Sequence, residues 1–176
     1  MVKELFPQGS VIAEVGVYRG GFSRQIYDNC FPSKLYCIDA WEQYPDYEKD
    51  SLCHTNQDDN WQATKNEMAD GITAGRVEVI RGRSDAVAAA WTTPMDALFL
   101  DSIHVYKYVI SDLRAWSKHI KPGGVIGCHD FTERPAALAM DFGVVKAVNE
   151  FCAEAGWEII ATTDEGDWPS CAIKRK

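Results

Sequence analysis

Glu14 closes a short apolar run, and the glycine-rich turn Gly16-Val17-Tyr18-Arg19-Gly20-Gly21 follows it almost at once. Glycines let backbone approach a ligand closely, and the first N–H groups of a following helix attract its polar end. Four further polar groups stand where later apolar runs stop. They are Asp39, Ser84-Asp85, Asp101 and His129-Asp130. His104 follows Asp101 by three residues. Carboxylates in such places accept hydrogen bonds from hydroxyls or hold cations, and imidazoles exchange protons near neutral pH.

Residue periodicity supplies the elements that carry these groups. Val11–Val15, Leu35–Ile38, Val77–Ile80, Ala97–Leu100 and Val125–Cys128 read as buried strands. Phe22, Ile26 and Cys30 recur at helical spacing, with Pro32 behind them. Asp58 or Asp59 is placed to cap a helix running through Met68, with Gly71 as its stop. Ser84 is placed to cap a short Ala-rich helix. Val105, Val109, Leu113, Trp116 and Ile120 mark one face of a long helix, which Pro122-Gly123-Gly124 would end. After a loop over 131–143, Val144, Val148, Phe151, Cys152 and Ala155 mark a last helix, stopped by Gly156. Glu158–Thr162 and Cys171–Lys174 suit a terminal antiparallel pair. The alternation predicts an α/β fold in a single domain over residues 1–176. It is Rossmann-like and doubly wound, a mainly parallel seven-stranded sheet with an antiparallel C-terminal strand pair. Such sheets bind ligands at the carboxyl ends of their strands, where the chemistry-bearing residues would then meet.

Composition narrows the class. The chain has 176 residues, enough for a real core, and no apolar stretch long enough to span a bilayer. Its net charge of −8 disfavours a nucleic-acid partner. The six cysteines are scattered and form no CxxC pair, and no apolar signal core opens the chain. Together these predict a cytoplasmic protein with reduced, buried thiols and no membrane partner.

The turn also restricts the ligand. Tyr18 occupies the place of the second glycine in a dinucleotide fingerprint, and no GK[ST] follows. Asp39, after the second strand, is placed to accept hydrogen bonds from both hydroxyls of an adenosyl ribose. A glycine turn without a phosphate cradle suits an adenosine ligand that carries no phosphates. S-adenosylmethionine is the common one, and its cationic sulfonium suits acidic strand ends.

EVGVYRGGFS followed by LYCIDAW resembles motifs I and II of the class I S-adenosylmethionine-dependent methyltransferases. LFLDSIHVYKYVISDLRAWSKHIKPGGVIGCHDF resembles their small-molecule O-methyltransferase branch, which includes macrocin-type and catechol-type enzymes. The resemblance covers about residues 10–160. It implies that Glu14, Gly16, Tyr18, Gly20 and Ser23 line the methionine end of the cofactor. Asp39 would hold the ribose, with Ala40 and Trp41 beside the adenine. Gly82-Arg83-Ser84-Asp85 would supply adenine contacts through Ser84 and Asp85. Asp101 would face the methyl-transfer centre, touching cofactor and acting in catalysis.

The same resemblance leaves the catalytic apparatus open. In the metal-dependent branch Mg²⁺ is held by this aspartate and by an acidic or amide pair after strand five, here Asp101 and Asp130. His129 is a poor partner for Mg²⁺. The alternative is metal-free, with His129 acting on the substrate directly. His104 stands where catechol-type enzymes have their catalytic lysine. It serves either as general base or as a cap of the following helix. Larger members carry a helical region ahead of motif I that is missing here, which would open the pocket. Residues 42–56 and 131–143 are candidate lids, with Trp41, Tyr44, Tyr47, Phe131 and Phe142 as candidate lining.

The implied reaction is methyl transfer to a hydroxyl of a small-molecule acceptor such as a sugar or phenol. A sheet edge left exposed would permit a homodimer. Two rivals stand beside this reading. A nicotinamide-dependent oxidoreductase is opposed by the missing GxGxxG. A non-catalytic cofactor-binding module is opposed by the presence of Glu14, Gly16, Asp39 and Asp101.

Overall fold

Val11–Val15 (β1) is the strand on which the rest are laid. In the computed structural model, which describes residues 5–44, 49, 54–163 and 166–176, it is buried along most of its length. It runs parallel to β2 (Lys34–Asp39) on one side and to β4 (Met95–Leu100) on the other. β3 (Val77–Arg81) flanks β2, and β5 (Ile120–Cys128) flanks β4, both parallel. β6 (Trp157–Thr162) and β7 (Cys171–Arg175) are antiparallel, and β7 lies between β5 and β6. The seven-stranded order is β3-β2-β1-β4-β5-β7-β6. Strand order reverses between β1 and β4, so a crevice opens above their carboxyl ends.

Helices cover both faces. α1 (Gly21–Cys30), α2 (Gln57–Glu67) and α3 (Ala69–Thr73) pack on one of them. There Ile26, Tyr27, Cys30 and Met68 join Ile12, Leu35 and Phe99. α4 (Ser84–Ala90), α5 (Tyr106–Trp116) and α7 (Val144–Ala155) cover the other. Leu113, Trp116, Val148 and Phe151 meet Ala13, Leu98 and Ile126 there. Alternation of Ile12 and Ala13 between the two cores is the period-two pattern of a strand buried on both faces. Among the described residues no helix is long and apolar enough to cross a membrane.

Several boundaries depart from the sequence reading. Asn56, not Asp58 or Asp59, caps α2. Its side-chain oxygen accepts from the backbone N–H of both aspartates, which occupy the first turn where negative charge is favoured. Gly71 does not stop this helical region. It lies inside α3, where a Cβ would stand 2.4 Å from Val77 Cγ2. α5 ends at Trp116, followed by one 3-10 turn over Ser117–His119. Ile120 therefore belongs to β5, paired with Met95, and Pro122-Gly123-Gly124 forms an irregularity inside that strand. Gly124 is obligatory there, because a Cβ would stand 2.7 Å from the Asp96 carbonyl oxygen. The expected loop over 131–143 carries a single helical turn, α6 (Pro135–Ala139), with Pro at its start.

Candidate active site

β1 ends in Val15 and the chain turns at Gly16 with φ +89°. A Cβ at Gly16 would stand 2.1 Å from the Asp101 carbonyl oxygen, so only glycine lets the turn lie against the end of β4. Gly16→Ala should lower stability by about 3–5 kcal/mol, from left-handed strain plus overpacking. Urea unfolding would measure it.

The turn is tied to the next strand. Asp39 Oδ2 accepts from the backbone N–H of Val17 at 2.8 Å and of Tyr18 at 2.9 Å, and Oδ1 accepts from Trp41 N–H. Asp39 thus shapes the turn while facing the crevice. Glu14, on β1 beneath it, is 1% exposed and accepts from Ser23 Oγ. Burial holds its carboxyl well above the usual carboxylate range.

These groups line one cavity of about 330 Å³. Of the predicted cofactor residues, Glu14, Gly16, Tyr18, Asp39, Ala40, Ser84 and Asp101 line it, and so does His104. Four do not. Trp41 follows a left-handed turn (φ +41°) into the core, where its indole N–H donates to the Tyr18 carbonyl. Ser23 sits on the buried side of α1 and reaches only Glu14. Gly20 is the N-cap of α1 and its open side faces Thr64 of α2. Asp85 lies on the exposed side of α4 and lines a neighbouring groove with Arg83 and Lys107. Of the aromatic candidates, Tyr44 lines the cavity, Phe142 stacks against the His104 ring, and Phe131 borders the core. Tyr47 and most of the 42–56 lid lie outside the described residues.

At the far end, β4 and β5 bring together Asp101, His104, His129 and Asp130. Leu100 pairs with Cys128, so the residues after them are neighbours. The turn before α5 returns His104 to the same spot. Val105 bridges Phe142, and the His104 carbonyl accepts from Gly143 N–H. His104 is not a side-chain cap of α5. Its Nε2 lies 3.1 Å from Asp101 Oδ1 and 3.2 Å from Asp130 Oδ2. His129 Nδ1 lies 3.3 Å from Asp101 Oδ1 and 2.8 Å from Asp130 Oδ1. Asp130 takes a left-handed φ of +56° to present its carboxylate inward. Burial works against charge on both sides of this cluster, yet the pairs win. Asp101 is held below its usual range by His104 and His129, and the two aspartates raise His129 to about 10. His129 is therefore the cation of the cluster at neutral pH.

Sequence reasoning passed over Asp112, which lies on the buried face of α5 between Val109 and Leu113. Its carboxylate accepts from Ser84 Oγ at 2.6 Å and Ser102 Oγ at 2.8 Å, and Ser84 Oγ accepts from Trp116 Nε1. It therefore joins the segment after β3 to the segment after β4. A carboxylate interrupting an apolar helical stripe was the available signal. Ser84 is the first residue of α4 and not its cap, because its hydroxyl is committed to Asp112. Burial pushes the Asp112 carboxyl up to about 6 from 3.8. The folded state then binds this proton more tightly than the unfolded chain, so the stability contributed falls as pH rises from about 4 to 6. Asp112→Asn should gain on the wild type by up to about 3 kcal/mol between pH 4 and 7. Urea unfolding at the two pH values checks it.

A doubly wound sheet in this strand order, with its antiparallel end and polar strand ends opening on one crevice, is the Rossmann-like methyltransferase fold. A family model described as "Methyltransferase domain" matches residues 13–131, and the chain belongs to that family. Solved structures agree in fold. A putative rRNA methylase from Clostridium thermocellum superposes with a TM-score of 0.68 at 13% identity, over 99% of this chain and 93% of that one. An O-methyltransferase family protein from Burkholderia thailandensis gives 0.72 at 14%, over 99% of this chain and 54% of that one. The SAH-bound methyltransferase PaMTH1 from Podospora anserina gives 0.64 at 14%, over 94% and 71%. This chain spans about half the length of the Burkholderia protein.

Proposed function

We propose that this methyltransferase moves a methyl group from S-adenosylmethionine to a hydroxyl oxygen of a small molecule. One observation carries the reading: a single cavity joins the Gly16 turn and Asp39 to the Asp101–His104 pair. The residues present fit the cofactor. Asp39 would offer its carboxylate to a ribose, Ala40 and Ser84 would stand beside the adenine, and Gly16 leaves the turn bare of side chain. When bound, the cofactor supplies an electrophilic methyl on a sulfonium. The Asp39 and Asp101 carboxylates border this space, and acidic groups favour a cation. His104 turns Nε2 to Asp101 and Asp130, to which it donates, so Nδ1, which has no hydrogen-bond partner among the described residues, is the nitrogen left to accept the acceptor's hydroxyl proton. Alignment within the cavity supplies much of the rest. The charge of −8 favours a small acceptor over RNA or DNA.

Mg²⁺ does not fit this reading. Two of the four convergent donors are imidazoles, whereas Mg²⁺ takes an octahedron of oxygens. Calorimetry with S-adenosylhomocysteine, followed by a methylation screen of sugars and phenols beside RNA, tests the proposal. Micromolar binding and a methylated hydroxyl support it. Absence of binding removes the cofactor, and methyl transfer to RNA alone overturns the acceptor.

A further inference from the structure

Methyl transfer from a sulfonium to a hydroxyl yields an ether, a neutral thioether and one proton, and that proton must leave the protein. In a cavity of about 330 Å³ a bound cofactor and acceptor leave little room for water to carry it off. A second way out runs behind His104. Its ring borders the main cavity and also a small inner one of about 10 Å³, walled by Leu100, Val109, Cys128 and Val144. Such a volume admits a single water molecule. The polar lining of this inner cavity is Ser102, His104, Asp112 and His129. Asp112 borders it and also an outer groove of about 240 Å³, whose exposed members include Arg83, Lys107 and Ser111. Ser102 touches all three spaces. His104 and Asp112 thus stand on opposite sides of one water-sized space, the first facing the reaction and the second facing solvent.

We propose that the proton taken up by His104 leaves through one water in the inner cavity and the Ser102 hydroxyl to Asp112, which releases it into the outer groove. This route rests on the base role given to His104 above. Nδ1 of His104 is buried and has no hydrogen-bond partner among the described residues, while Nε2 is committed to Asp101 and Asp130. Nδ1 therefore serves the acceptor hydroxyl first and the water afterwards, once the methylated oxygen no longer claims it. The imidazole and the Ser102 hydroxyl give that water the two polar partners it needs. Ser102 Oγ already donates to Asp112 Oδ2 at 2.8 Å, so a proton received from the water displaces the one passed to the carboxylate. His104 loses a proton, Asp112 gains one, and the water and Ser102 end unchanged. Burial raises the Asp112 carboxyl to about 6, so it takes up and sheds a proton near neutral pH. Asp85 adds to that rise, Ser84 and Ser102 oppose it, Arg83 and Lys107 face it from the groove, and Cys128 and His129 face it from the inner cavity.

Steady-state methyl transfer by the full chain, on the acceptor found in the screen, tests the route. Asp112→Asn keeps the shape and an acceptor for the serine hydroxyls but takes no proton. Its kcat should fall by about 10-fold, less than loss of the general base itself, with KM and S-adenosylhomocysteine affinity within about 2-fold of wild type. Imidazole buffer, a small proton carrier, should restore that turnover as its concentration rises and leave wild type unmoved. A brace lost from the fold would not be restored in this way. Val109→Ile adds a methylene beside the inner cavity, keeps the carboxylate, and should show the same deficit and the same rescue. Without cofactor or acceptor, a long-lived water in the wild-type protein should give nuclear Overhauser contacts to the His104 ring. Absence of those contacts overturns the route whatever the acceptor. So does wild-type turnover in Asp112→Asn, or a deficit that buffer leaves unchanged. Should Asp112→Asn fail to fold, Val109→Ile and the water contacts decide. An active wild type with unaffected variants removes the route alone, whereas a wild type that transfers no methyl group removes the proposed function and the route with it.

Discussion

Asp39→Ala is expected to lose affinity for S-adenosylhomocysteine by about 100-fold or more. Hydrogen bonds to a charged group contribute about 1.5–3 kcal/mol each, and two ribose hydroxyls would meet this carboxylate. The same side chain accepts from Val17 and Tyr18 N–H, so its removal also frees the turn on which the cofactor would lie. Asp39→Asn separates the two effects. An amide oxygen still accepts from the turn, but the charge and one acceptor are gone, so an intermediate loss of about 10-fold is expected. Calorimetry reads both variants. Wild-type affinity in Asp39→Ala would mean that the cofactor does not use this strand end.

His104→Ala should behave in the opposite way. Turnover is expected to fall by about 10²–10⁴-fold, the usual contribution of a positioned general base. Cofactor affinity should stay within about 3-fold of wild type, because the imidazole contacts Asp101 and Asp130 and not Asp39. His129→Ala should also lower turnover, since it removes the cation that sits between Asp101 and Asp130. The measurement is steady-state kinetics on the acceptor found in the screen, beside calorimetry on each variant. A His104→Ala enzyme with unchanged turnover would remove the base from the mechanism.

Much of the candidate site's edge is legible in the amino-acid sequence. A buried parallel sheet aligns its strand ends, so polar residues closing five apolar runs had to gather along one edge. Glu14, Asp39, Ser84 and Asp101 do so around one cavity. Helix ends are less legible. The apolar stripe that predicts one helix through Ile120 is continuous in sequence, but Ile120 gains a strand partner in Met95, and that pairing ends the helix four residues earlier. Asn56 displaces two aspartates as a cap because their backbone N–H groups, not their carboxylates, lie at the helix start.

Side-chain direction is the part that sequence spacing does not supply. Trp41 and Asp39 are two residues apart, yet one drops into the core and the other faces the cavity, because Trp41 itself takes a left-handed φ of +41°. Ser23 and Gly20 belong to the recognised motif but serve Glu14 and the start of α1.

The sequence by itself determined the doubly wound sheet, the bare glycine turn and the acidic edge, because these follow from local periodicity and from strand alignment. The four-residue cluster was decided only by tertiary structure. Asp101 and His129 are 28 positions apart in the chain and become neighbours through the pairing of β4 with β5. His104 joins them because backbone contacts to Phe142 and Gly143 fold its turn back. Local propensity carries no information about a contact that exists only when distant strands and loops are closed against one another.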